Sequence, residues 1–152
     1  MITLTVTQLI NLFTFVSISH FIADFVFQTR KMGEGKGTSL KWLTIHVATY
    51  CAIFSLVSSW YLIPILGIMH FIGYVIINTL CHFCTDFITS KMTSYFYKKA
   101  EAAKADVSLT PDEKLKATQK HMKGFWTTIG FDQVIHASTL FQTFKIYVVL
   151  PI

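Results

Sequence analysis

Long apolar runs, broken by two stretches that carry most of the charge, set the pattern of this chain. The first run, residues 4–28, is long enough for a transmembrane helix, since about 20 residues span the hydrocarbon core. Arg30 and Lys31 end it, and the glycine-rich stretch Gly33–Gly37 reads as a loop. A second span is predicted over 41–60, closed by an aromatic pair, Trp60 and Tyr61, of the kind found at membrane interfaces. Pro64 suits the first turn of a helix, so a third span is predicted over 63–90. Its inner end is expected to continue as a soluble helix through Ser94–Ala105. In the polar stretch 91–124, Thr110-Pro111-Asp112-Glu113 carries the marks of a helix start: a threonine cap, proline at the first position, and a glutamate to close a capping box. The short basic helix after it is expected to stop at Gly124. The last span is predicted over 125–150. The fold expected is an all-α membrane protein, a four-helix transmembrane bundle in one domain of 152 residues. A cytoplasmic helical insert separates its third and fourth helices.

Composition strengthens this reading. The chain is 53% hydrophobic and only 14% charged, with fourteen phenylalanines. A soluble domain carries about 25% charged residues. The net charge of +5 does not call for nucleic acid as a partner, because the lysines gather beside the apolar segments. The 30–41 connection has four basic residues against one acid, and the 91–124 connection eight against four. Positive residues favour the cytoplasmic side, so both connections are predicted inside and both termini outside, in a multi-pass inner-membrane protein surrounded by lipid.

Against that background the acids stand out. Of eight, Glu34, Glu101, Asp106, Asp112 and Glu113 lie in polar stretches. The other three, Asp24, Asp86 and Asp132, fall in apolar runs, and each has a histidine four residues away: His20, His82 and His136. Such spacing stacks two side chains on one helix face. Six histidines in 152 residues give any one acid about one chance in twelve of such a neighbour, and three of three about one in two thousand. Counted inward from the predicted cytoplasmic ends, Asp24, His46 and Asp86 lie roughly 6–9 Å deep. His20, His82 and Asp132 lie roughly 12–15 Å deep, and His136 about one turn further. All seven are expected in one layer of the inner leaflet.

The segments HFIADFVFQT at 20–29, His46, HFCTD at 82–86 and DQVIH at 132–136 resemble a small membrane-protein family known only as a domain of unknown function. Its motifs, His-x-x-x-Asp-x-x-x-Gln, a histidine in the second helix, His-x-x-x-Asp, and Asp-Gln-x-x-His, match His20, Asp24, Gln28, His46, His82, Asp86, Asp132, Gln133 and His136. The resemblance implies a bacterial or phage membrane protein and brings no activity with it. The 91–124 insert departs from the shorter connections of that family.

Mechanism therefore rests on the residues. Mixed imidazole and carboxylate donors suit zinc, manganese or iron. The favoured cofactor is a divalent metal, zinc first, held by His20, Asp24, His82, Asp86 and Asp132. His46, His136 and Asp132 are the candidates for moving protons in a metal-dependent hydrolase. A site about 10 Å below the surface suits an amphiphilic substrate, with Arg30, Lys31 and the lysines after 91 attracting an anionic head group. Two other classes stand beside it: an oligomeric proton or cation channel or transporter, and a phage membrane protein acting on a host component through protein contacts. A plain hydrogen-bonded network joining the helices is the structural alternative. His70 reads as a satisfied core histidine, His121 as solvated, and Cys81 and Cys84 as packing residues, since the haem signature CxxCH fails at Thr85. Asn78 and Gln133 are read as orienting groups or as interhelical bonds.

Overall fold

The computed structural model describes residues 2–149. A two-residue strand, β1 (Ile2–Thr3), leads into α1 (Val6–Phe21), which passes without a break into a π-helical turn, Ile22–Val26. Next come α2 (Arg30–Gly35), α3 (Leu40–Leu66), α4 (Ile68–Ala105), α5 (Pro111–Phe144) and β2 (Val148–Val149), which pairs in parallel with β1. The longest packed interface joins α4 to α5, α3 packs on α4, and α1 closes the ring by touching both α3 and α5. The result is a four-helix bundle whose chain ends meet at one end.

Three helices are long and apolar enough to cross a membrane: Val6–Val26, Leu40–Leu66 and Ile68–Ala105. Their outer faces carry exposed Ile10, Ile18, Leu56, Trp60, Ile76 and Ile88. Their inner faces bury serine, threonine, histidine and aspartate. A water-soluble bundle would show the reverse. Helix α5, predicted as the fourth span, is not among the three.

Several boundaries differ from those read in the sequence, each for a local reason. Helix α3 runs through Trp60 and Tyr61 and keeps Pro64 inside its last turn. The turn falls instead at Gly67, whose φ of 76° is the left-handed conformation that glycine adopts freely. Its N–H returns to the Ile63 carbonyl at 2.8 Å. The glycine-rich stretch expected as a loop is mostly α2, capped by Thr29, whose hydroxyl accepts the Met32 N–H.

Gly124 does not stop a helix. A Cβ there would press on the Phe96 ring, so this glycine lets α4 and α5 approach closely. The stretch 91–124 is thus a helical hairpin, formed by the end of α4, a turn over 106–110 and the start of α5. At 38 residues α4 is about 57 Å long, well beyond the roughly 30 Å of a hydrocarbon core. The capping box at Thr110 and the continuation to Ala105 match the sequence reading. Helix α5 ends at Phe144 and not near 150, which leaves Lys145 beside the last carbonyls, where a cation is favoured. Leu150 and the two residues after it lie outside the described residues.

Candidate metal centre

Each long helix delivers its polar residues to one point between the bundle axis and the hairpin end. The π turn displaces the end of the first helix by one hydrogen-bond step and buries Ala23 and Asp24 together. Such bulges often mark functional positions. His46 lies two turns into α3, His82 and Asp86 share a face of α4, and Asp132 and His136 share a face of α5. All these residues and His20 are buried.

The distances show convergence. His46 Nε2 is 3.0 Å from Asp24 Oδ1 and 3.0 Å from Asp86 Oδ2, and 3.3 Å from His82 Nε2. His82 Nε2 is 3.7 Å from Asp24 Oδ1 and 3.6 Å from Asp86 Oδ2. One donor atom from each of Asp24, His46, His82 and Asp86 therefore falls within 4.8 Å of every other. A second group of the same tightness contains Asp24, Asp132 and His136. His136 Nε2 is 3.4 Å from Asp86 Oδ1 and 3.4 Å from Asp132 Oδ1.

Closeness here is not the same as pairing. Asp24 Oδ1 has His46 Nε2 at 3.0 Å yet no hydrogen bond of acceptable direction, and neither His20 Nε2 nor His82 Nδ1 has a partner. A single ring N–H cannot point at two carboxylates and a second imidazole at once. An unpaired buried polar atom costs about 1–3 kcal/mol, more when charged. Asp24 Oδ1, beside His46 Nε2 and His82 Nε2, is thus a buried acceptor that a cation could satisfy.

Charge leads to the same conclusion. Three carboxylates are buried here, and the only nearby fixed cation among the described residues is Lys36, whose Nζ is 2.9 Å from Asp86 Oδ2 and 3.4 Å from His46 Nε2. His82 and His136 lie with ring centroids 4.3 Å apart, and His20 and His136 5.0 Å apart, so three imidazoles crowd beside the carboxylates. Around the cluster, Thr89 Oγ1 lies 2.5 Å from Asp132 Oδ1. Gln133 Nε2 donates to Asp132 Oδ2 at 2.9 Å and reaches Asp24 Oδ2 at 3.5 Å. These bonds fix the carboxylates in orientation. A cavity of about 780 Å³ opens beside Asp24, Asp86 and Asp132 and runs along the hydroxyl-bearing face of α4 to Tyr97 and Lys98.

All seven sequence candidates meet, but the grouping of their donor atoms differs from the sequence reading at two histidines. His46, expected to move protons, sits in the four-donor group. His20, expected as a ligand, is in neither group and turns its Nδ1 to the Tyr50 hydroxyl at 3.2 Å. Gln28 lines the cavity mouth with a buried, unpartnered Oε1. Asn78 lies away from the site and bonds across helices, accepting from Thr143 at 3.0 Å. His70 is not in the core: it is exposed and its ring nitrogen lies 3.1 Å from the Leu66 carbonyl. His121 is half-buried, and Cys84 is exposed while Cys81 is half-buried.

Two residues of the site are not evident from the sequence motifs. Tyr50 stacks on His82 with centroids 3.8 Å apart and planes parallel within 1°. Its spacing of four from His46 repeats the signal that marks the other pairs. Lys36 carries no such signal, since a lysine in a basic connection reads as topology.

A family profile matches residues 12–151, from the middle of α1 through all of α3, α4 and α5. Its description is protein of unknown function (DUF3307). The chain belongs to that family. No curated protein and no solved structure matches the chain. The match spans every residue of the buried cluster and agrees with the expected membership of a domain of unknown function. Its description assigns no chemistry, and the reading of the cluster rests on geometry.

Proposed function

We propose that this protein is a membrane-embedded, metal-dependent hydrolase acting on an amphiphilic substrate from the cytoplasmic side. In this reading α5 is the fourth span, both termini lie outside the inner membrane, and the hairpin and α2 lie in the cytoplasm. The excess of lysine and arginine in those two connections supports that orientation. Zinc is the favoured ion, for the mixed imidazole and carboxylate donors.

The observation that carries the proposal is the set Asp24, His46, His82 and Asp86: four buried donors, mutually within 4.8 Å and incompletely paired, of which Asp24 and Asp86 line a cavity of about 780 Å³. Pockets of this size take ligands of a few hundred daltons. A divalent ion held there would supply Lewis acidity and lower the pKa of a water. Asp132, which reaches the cavity and has His136 3.4 Å away, would accept a proton from the attacking water. It would return that proton to the leaving oxygen as the substrate's electrophilic atom bonds to the water oxygen and releases the leaving oxygen. Thr89 and Gln133 hold Asp132 in place. All of these residues come from one chain.

A channel is the less favoured reading. Beyond the cluster, Phe54, Tyr74 and Phe144 are each 2% exposed or less, so bulky aromatic side chains occupy much of the interior there. The decisive experiment is metal analysis of the protein purified in mild detergent without chelators, alongside Asp86→Asn. Wild type should retain zinc in stoichiometric amount, and the variant should lose it while still inserting. Metal-free wild type, with the variant equally active in cells, would reduce the cluster to a hydrogen-bonded core.

A further inference from the structure

Lys36 offers more than a neutralising charge, and its second role depends on the metal centre proposed for the cluster. Its ammonium donates to Asp86 Oδ2 at 2.9 Å and lies 3.4 Å from His46 Nε2. Both residues belong to the four-donor group. His46 Nε2 has one lone pair, which either accepts a lysine N–H or binds a metal, never both. Asp86 Oδ2 is contested in the same way, and a monocation beside a divalent ion is repelled at this range. Lys36 and the ion are thus alternative occupants of one place.

The segment around Lys36 is built so that the ammonium can leave without moving the backbone. Gly37 packs so closely on α4 that a Cβ would collide with the Ser90 carbonyl, and Gly35 lies against Trp42. The main chain is therefore pinned on both sides of a long, flexible side chain. Lys36 also lines the cavity, so a rotation about its own bonds carries the charge from Asp86 into that space. Lys98 stands at the cavity wall too, while the ends of Thr93 and Ser94 offer polar neighbours.

We infer that Lys36 is a tethered cation which holds the metal-free site and, displaced by the ion, becomes a ligand for the substrate's anionic head group, a phosphate in the first instance. Metal loading and head-group recognition are then coupled: the ion that activates the water also frees the charge that binds the substrate. Hydrolysis would favour phosphate-bearing amphiphiles over neutral ones for that reason.

The test uses full-length protein in lipid nanodiscs, with zinc and inorganic phosphate as probes, comparing wild type, Lys36→Met and Lys36→Arg. Removing the competitor should tighten zinc binding about tenfold in Lys36→Met, as expected when an occluded fraction is released. Lys36→Arg, which keeps the charge, should stay near wild type. In the zinc-loaded state Lys36→Met should bind phosphate about tenfold more weakly than wild type. Equal or weaker zinc binding by Lys36→Met overturns the competition, and equal phosphate binding overturns the head-group role. Zinc binding by none of the three would instead remove the metal site itself, a separate failure.

Discussion

Tyr74 and Asp86 share the buried face of α4, about three turns apart, and their surroundings have little in common. Near Tyr74 the interior is apolar, with Leu12, Phe54, Leu140 and Phe144 packed together. The few polar groups there are closed locally: the Tyr74 hydroxyl donates to the Leu140 carbonyl at 3.1 Å, and Thr143 donates to Asn78 at 3.0 Å. Near Asp86, three carboxylates and four imidazoles crowd together and leave buried atoms without partners. One end of the bundle pairs most of its few polar groups within itself, Thr79 Oγ1 being the exception, and so holds the helices together. The other end leaves buried atoms unpaired in a group of donors that could hold a metal ion.

If that contrast is right, mutations at the two ends should act on different quantities. The largest effect on stability is expected at Phe54, which is fully buried. Phe54→Ala should cost about 3–5 kcal/mol through lost contacts and the cavity left behind. Thermal unfolding in detergent checks this, and zinc affinity of the surviving folded fraction should change little. At the other end the signs reverse. Asp24→Asn removes a buried negative charge from an excess of them, so the metal-free protein should be no less stable, gaining up to about 1–2 kcal/mol. Its zinc affinity should fall about a hundredfold, near 2.7 kcal/mol. A variant that loses stability and zinc in parallel would mean that the cluster is a structural element like the Tyr74 end.

A smaller effect tests whether the apolar end is as fully closed as its bonds suggest. Tyr74→Phe keeps the ring and leaves the Leu140 carbonyl with its helical partner and the Thr143 hydroxyl, 3.2 Å away. A loss of about 1 kcal/mol is expected, with zinc binding untouched. A loss several times larger would mean that this hydroxyl belongs to the same network as the site.

Legibility in the sequence divides along the same line. The cluster is legible because its members recur at helical spacing in runs where an acid is expensive, a signal carried by each residue with its own helix. Asp24, Asp86 and Asp132 each announce themselves in this way. Lys36 does not, because its partner Asp86 is fifty positions away and a lysine among glycines is already explained by topology. The π turn is hidden for a similar reason: Ile22–Val26 is ordinary helix-forming sequence, and its extra step serves to bring Asp24 to a neighbour. Pro64 and Gly67 compete as turn signals within four residues, and the left-handed conformation that the turn needs decides for glycine. Gly124 looks like a stop, yet its meaning lies in Phe96 on another helix. In each case the missing information is a partner distant in sequence.

The hairpin between α4 and α5 supplies a third environment, exposed and conventionally charged, and the smallest of the expected effects. Glu113 accepts from the Thr110 hydroxyl at 2.6 Å and the Thr110 N–H at 2.9 Å, while Thr110 Oγ1 accepts from the Glu113 N–H at 3.4 Å. Those two bonds from Thr110, the hydroxyl's first and the backbone's second, hold the Glu113 carboxyl below its ordinary pKa. A carboxyl depressed in the folded state contributes stability above its ordinary pKa, about 4.3, and loses it as pH falls through the folded value. The first turn of α5 should therefore be intact at neutral pH and fray only in acid below about pH 4. Amide exchange at residues 111–114, compared at matched intrinsic rates between pH 7 and pH 3, should show protection falling in that window. Glu113→Gln keeps a side-chain acceptor and removes the charge, so its protection should be lower at neutral pH and nearly flat with pH. Because the turn is solvent-exposed and far from the cluster, zinc affinity at neutral pH should be the same in both proteins. A Glu113→Gln variant with altered zinc binding would mean that the hairpin and the site are coupled along α5, and that the three environments are not independent.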